Sequence, residues 1–333
     1  MSKNGKLTLG HYGQNQKKSK QLFIYFFIII ILLLGFIYQK YSIYHNASEY
    51  GRVGELIDVK GKAMHLYTSG SSDLPLVFAS NIGIAAPYTE MIPLAQKFPS
   101  ETSFAIYDKP GYGWSDITNA PRDIDTIVSE IHTLLQANHY NSPVIFVAHA
   151  MGSLEVLRYA QLYPDEVAGI VLIDGASPEF CSEFNNIMIA ESFIINGLRN
   201  TGALRLLSYT PSMQKTLNPN NTLSTDLQII NKDISLEKLW NKNMIEEKLK
   251  LKSNAKTILK AGSIGDVPLR IITSKANPYG NWQESQTSML QLSSDSSQTY
   301  IEGSVNFIEN KDVPAILHVI KELKLFLSPE EEE

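Results

Sequence analysis

From Leu22 to Tyr38 the chain reads LFIYFFIIIILLLGFIY, with no charge and no strongly polar side chain on any face. A helix over these residues would be about 25 Å long at ~1.5 Å per residue, close to the hydrocarbon thickness of a bilayer. Lys20 and Lys40 bracket the run and can snorkel to the two interfaces, where Tyr25 and Tyr38 are also favourably placed. A cleaved signal peptide would begin in the same way. Here, however, the basic region is long, the apolar run exceeds a usual signal core, and the following QKYSIYHNASEY offers no small-x-small cleavage site. No cysteine lies near the end of the run, which excludes a lipoprotein. The expectation is a basic cytoplasmic tail over 1–20 and a single-pass anchor over 21–39, with the bilayer as partner of Leu22 to Tyr38. The first twenty residues hold Lys3, Lys6, Lys17, Lys18 and Lys20 and no acid, which predicts a cytoplasmic amino terminus and an extracellular remainder.

From about residue 52 short apolar segments alternate with amphipathic ones, the pattern of a mostly parallel sheet covered on both faces. The predicted strands are Leu56 to Val59, Met64 to Thr68, Leu74 to Ala79, Phe104 to Tyr107, Val144 to Ala148, Gly169 to Ile173, Leu269 to Ser274 and Thr299 to Ile301. LPLVFA, SPVIFVA and AGIVLI among them are continuous apolar runs, as strands buried on both faces should be. Predicted helices are Tyr88 to Phe98, Asp123 to Asn138, Ser153 to Tyr163, Trp282 to Leu292 and Val313 to Phe326. Residues 178–265 interrupt this alternation with helical stretches and no clear buried strand. At that length a helical cap is expected rather than a structureless loop. The fold class is therefore α/β: an eight-stranded, mostly parallel sheet in two parts, 52–177 and 266–328, with the cap inserted between them.

Composition narrows the chemistry. The 333 residues are 44% hydrophobic and 19% charged, enough for a large core. Cys181 is the single cysteine, so no intramolecular disulfide and no cysteine-clustered metal site forms. A net charge of -5 gives no pull toward nucleic acid, and Glu330 to Glu333 read as a solvated tail. HExxH, CxxC and phosphate-loop patterns are missing, leaving no sequence support for a metal, nucleotide or redox cofactor.

The segment VIFVAHAMGSLEVLRYA, from Val144, runs from a buried strand through a tight turn flanked by small residues into a helix. That is the layout of a nucleophile elbow, in which Ala148 and Gly152 let strand and helix backbones approach. The apex, which should carry the nucleophile, is Ala150. At this point the chain resembles the α/β-hydrolase superfamily over about residues 52–327. AHAMG stands where the family's GHSMG-like motif would be, YDKPGYGWSD (Tyr107 to Asp116) resembles its D-x-P-G-x-G-x-S-D loop, and YPDEVAGIVLID is a common phrase after the elbow helix.

The resemblance implies a serine, histidine and acid triad, and these positions depart from it. Ala150 replaces the nucleophile. Ser304 falls where the histidine would stand in the segment from Gly303. Asn277 lies in the loop after Leu269 to Ser274, which has no carboxylate, and Asp174 is a possible residual acid. Asn81 replaces a common glycine in the oxyanion run Ser80 to Gly83. One serine-to-alanine change would account for Ala150 alone, not for the other departures. Asn81, Ile82, His149, Ala150 and Met151 are the residues expected around the oxyanion region and any ligand pocket.

Other residues have plainer readings. Ser153, a displaced nucleophile in principle, is expected to face the sheet or cap backbone amides. His149 is expected to pack below the site, His318 to sit on the last helix, and Cys181 to act as a small buried hydrophobe. The sequence thus suggests a membrane-anchored pseudo-hydrolase that binds a small apolar ligand or an envelope protein. The alternative is an active hydrolase or esterase of this family using non-standard groups.

Overall fold

The computed structural model describes residues 5–49, 51–140, 143–184, 189–217, 223–303 and 312–328. Its eight strands are β1 (Glu55–Val59), β2 (Lys62–Ser69), β3 (Leu76–Ala79), β4 (Phe104–Asp108), β5 (Val144–His149), β6 (Val167–Ile173), β7 (Leu269–Ser274) and β8 (Ser296–Ile301). They form one sheet in the order β1-β2-β4-β3-β5-β6-β7-β8. The β1–β2 hairpin sets Val59 opposite Lys62 and so leaves only Lys60 and Gly61 to turn. Both have positive φ, 55° and 78°, the two-residue geometry whose twist matches that of the strands. β2 pairs antiparallel with β4, and every pairing from β4 to β8 is parallel.

Parallel neighbours require crossovers, supplied by α2 (Pro87–Ala95), α3 (Ile124–Ala137), α4 (Ser153–Leu162) and α11 (Trp282–Ser288), with α12 (Val313–Leu327) after β8. Successive strand residues alternate between two cores. Val77, Ala105, Phe146, Leu172 and Ile271 pack with α3 and α4, whereas Phe78, Ile106, Val147, Ile173 and Ile272 pack with α2 and α12. Having no solvated face, these strands have no polar alternation to show.

The differences from the sequence expectation have local causes. β8 begins three residues early, at Ser296, because its first half is a polar edge strand that pairs only with β7. β6 begins two residues early, at Val167. The helix expected over Trp282 to Leu292 stops as an α-helix at Ser288 and continues as a 3-10 turn over Met289–Leu292.

Between β6 and β7 the described residues form helices and no strand: α5 (Pro178–Glu183), α6 (Ile189–Asn200), α7 (Ala203–Leu207), α8 (Pro211–Leu217), α9 (Thr225–Lys238) and α10 (Lys242–Ala261). At the amino terminus α1 (Gly5–Glu49) is one continuous helix of 45 residues. Within it Lys20–His45 is long and apolar enough to cross a membrane. The boundaries expected at residues 20 and 39 are thus changes of chemistry rather than of backbone.

Candidate active site

β5 ends at the carboxyl edge of the sheet, where open α/β folds place their sites. There Ala150 has φ 47°, a left-handed conformation that ordinarily costs an L-residue about 1–2 kcal/mol. The turn is held by a hydrogen bond from the Ala176 N–H to the Ala150 carbonyl at 2.9 Å. Gly152 marks the close approach: a Cβ there would come within 2.8 Å of the Ser80 carbonyl oxygen and 2.9 Å of that of Ala79. The strained elbow is therefore built in full, and its apex is a methyl group.

In this fold the N–H of the residue after the nucleophile is an oxyanion donor. Here the Met151 N–H donates instead to the Asn81 side-chain oxygen at 3.2 Å. The departure at Asn81 therefore does more than restrict the loop, because its amide occupies the donor. Gly83, at the end of the same run, has φ 88°, and a Cβ there would lie 2.9 Å from the ring of Trp240, between α9 and α10. The helical insertion thus packs directly on the oxyanion loop.

His149 is buried, with Nδ1 2.8 Å from Glu90 Oε1, and the Ser80 hydroxyl donates to the other Glu90 oxygen. This packing role agrees with the sequence reading. The carboxylate partner on α2 was not legible, since it lies 59 positions away.

Asp174, at the end of β6, also has positive φ, 46°. Its Oδ1 accepts from the Ser274 N–H at 3.0 Å, Trp282 Nε1 at 2.8 Å and Gln286 Nε2 at 3.1 Å. Its Oδ2 accepts from Asn277 Nδ2 at 3.1 Å. One backbone N–H and three side chains thus share this carboxylate. Burial pushes the Asp174 carboxyl above the usual carboxylate range, and the indole, the Ser274 amide and Asn277 offset part of this. The two candidate acid positions, Asp174 and Asn277, therefore touch, and an Asp at 277 would face a second carboxylate.

Ser153 is buried and its hydroxyl donates to the Ala176 carbonyl at 2.6 Å, as a structural group would. Cys181 is fully buried, and burial pushes its thiol up to about 12, away from thiolate chemistry. His318 is exposed on α12, 3.2 Å from Glu322 one turn on. Ser304 lies outside the described residues.

A buried ionic cluster beside the elbow had no sequence signal. Lys109, from the Asp-Lys-Pro-Gly loop, places Nζ 2.6 Å from Glu247 on α10 and 3.2 Å from Glu155 on α4. The Tyr112 hydroxyl donates to Glu247 at 2.7 Å. Burial raises the Glu155 carboxyl to about 7, the attraction of Lys109 opposing this and the repulsion of Glu247 adding to it. Next to these carboxylates, Ile82, Met151 and Leu251 help to enclose a cavity of about 10 Å³, room for one water molecule. Ile82 and Met151 both line this small cavity, and acidic groups that the sequence did not announce form part of its wall.

Comparison with known proteins agrees with this geometry. A family profile described as alpha/beta hydrolase fold matches residues 79–209. The uncharacterized protein YbdG of Bacillus subtilis (strain 168) is 28% identical over 241 residues, 71% of this chain and 73% of that one. Among solved structures, Cfl2 from Burkholderia cenocepacia superposes with a TM-score of 0.60 at 16% identity, covering 82% of this chain and 95% of its own. The enol-lactonase from Burkholderia xenovorans LB400 gives 0.56 at 15% identity, covering 82% and 98%. With the strand order, the elbow and the loop after β4 in agreement, the chain has the α/β-hydrolase fold, and its residues 79–209 match that family's profile.

Proposed function

We propose that this is a membrane-anchored α/β-hydrolase-fold protein that lacks serine-hydrolase chemistry and acts by binding, taking either a small apolar ligand or an envelope protein. The observation that carries the reading is Ala150 at the apex of an otherwise complete elbow. Acyl transfer through this turn needs a nucleophile, and a methyl group cannot supply an electron pair. Two further features support it. The Met151 N–H is occupied by Asn81, and Asp174 is committed to four donors rather than to a histidine. The segment that would carry the base, 304–311, contains no histidine.

The anchor in this proposal is the apolar part of α1, with the lysine-rich end cytoplasmic and the α/β domain extracellular. The cavity beside Met151 has a volume of only about 10 Å³, so a small apolar ligand there requires the surrounding side chains to move apart. A protein partner does not. The test uses the full chain in detergent micelles with a fluorophosphonate probe and short-chain esters. No labelling and no turnover are expected, and clear labelling at a rate typical of serine hydrolases overturns the proposal.

A further inference from the structure

α1 does not merely tether the domain. Its upper part is fastened to the helical insertion at two levels. Lower down, Gly35 meets the turn between α6 and α7: a Cβ on Gly202 would come 2.6 Å from the Gly35 carbonyl oxygen, and a Cβ on Gly35 would collide with the Thr201 carbonyl. Such close backbone approach is possible only for glycine pairs, and Gly202 also has φ 73°. Higher up, Gln39 is buried, its amide nitrogen donating to the Leu236 carbonyl at 2.8 Å and its oxygen accepting from Arg205 Nε at 2.6 Å.

These contacts set a depth. The apolar run ends at Tyr38, so Gly35 lies three residues, about 4.5 Å, inside it, and Gln39 one residue beyond it. The turn before α7 and α7 itself therefore straddle the end of the hydrophobic run, the level of the headgroup and acyl boundary if α1 spans the membrane. At that level the insertion exposes large apolar side chains. Leu206 is 70% exposed and Tyr209 68%, and Leu207 is exposed beside them. Lys232 Nζ sits 4.8 Å above the Tyr209 ring, a basic and aromatic pair of the kind favoured at membrane interfaces. The apolar residues of α1 from Leu22 to Phe27 are themselves exposed, so lipid is the medium that covers both surfaces.

We infer that α7 is a membrane-docking element: Leu206, Leu207 and Tyr209 insert into the headgroup and acyl boundary of the same bilayer that holds α1. This rests on the anchored reading above. Its consequence is that the helical insertion packed on the oxyanion loop lies at the membrane surface, within reach of molecules that partition into lipid rather than water.

The test uses the full chain in vesicles of phosphatidylcholine and phosphatidylglycerol, with nitroxide labels on single introduced cysteines, Cys181 being fully buried. Leu206→Cys reports the docking surface, Ile29→Cys the span, and Lys252→Cys the exposed side of α10. Expected are accessibility to oxygen over a water-soluble nickel complex that is high at 29, intermediate at 206 and low at 252. Adding Gly35→Leu, which removes the close approach, should shift the label at 206 toward the aqueous value and leave 29 unchanged. A lipid signal at 29 with an aqueous signal at 206 overturns the docking and spares the anchor. An aqueous signal at 29 overturns both. Protection of 206 from both reagents means that protein, such as a second copy, covers the patch, and also overturns the inference.

Discussion

Replacing Asp174 separates a structural carboxylate from one held for catalysis. In Asp174→Ala the Ser274 N–H, Trp282 Nε1–H and an N–H of Gln286 all lose a buried acceptor, and Asn277 loses a partly buried one. An orphaned buried donor costs about 1–3 kcal/mol. The three share one oxygen, and a water entering the vacated space would satisfy part of them, so the expected loss is about 3 kcal/mol rather than their sum. For a domain of this size each kcal/mol lowers the melting temperature by about 2–4 °C, giving a drop of about 6–12 °C. Asp174→Asn keeps one carbonyl oxygen for the same three donors and loses only the bond from Asn277, an expected cost of about 1 kcal/mol. Thermal unfolding of the full chain in micelles, followed by near-ultraviolet circular dichroism, reads both variants. Trp282 is one of three tryptophans, so its environment contributes visibly to that signal. If Asp174→Ala melts within 2 °C of the unaltered chain, the hydrogen-bond argument is wrong, and if Asp174→Asn falls as far as Asp174→Ala, the charge rather than the shared oxygen matters.

Three other outcomes follow from the same geometry. Between the ordinary glutamate value of 4.5 and about 7, the folded chain keeps a proton on Glu155 that the unfolded chain has lost, so stability should fall as pH rises through that window, by at most about 3 kcal/mol. Glu155→Gln should flatten this slope, and urea midpoints at pH 5 and pH 7.5 that differ equally in both proteins would contradict it. Gly152→Ala, whose methyl group meets the carbonyls of Ala79 and Ser80, should cost about 1–3 kcal/mol in urea unfolding, and a neutral effect would show the elbow to be looser than described. Ala150→Ser should leave the chain unlabelled by fluorophosphonate, since the segment 304–311 that would carry the base has no histidine, and a gain should require Asn81→Gly and Ser304→His as well. Rapid labelling of the single variant would show that a proton acceptor already exists.

Sequence alone determined the elements that depend on local pattern. The apolar run of α1, the buried strands and the elbow are each written in neighbouring residues, because burial on every face or backbone approach at Gly152 restricts the residue types position by position. That alanine stands at the apex was legible for the same reason: Ala150 sits in a motif that locates the apex. Element ends were less so, and β8 began early because an edge strand tolerates Ser296 and Ser297.

What only the tertiary structure decided is where polar side chains find their partners. Asn81 reaches Met151 across 70 positions, Asn277 and Trp282 reach Asp174 across more than 100, and Lys109 reaches Glu247 across 138. A buried hydrogen bond restricts the type of each partner but not their separation along the chain, so no spacing rule reveals it. The same holds for Gly35: it is ordinary in its own helix, and only its meeting with the backbone of Thr201 and Gly202 leaves no room for a side chain.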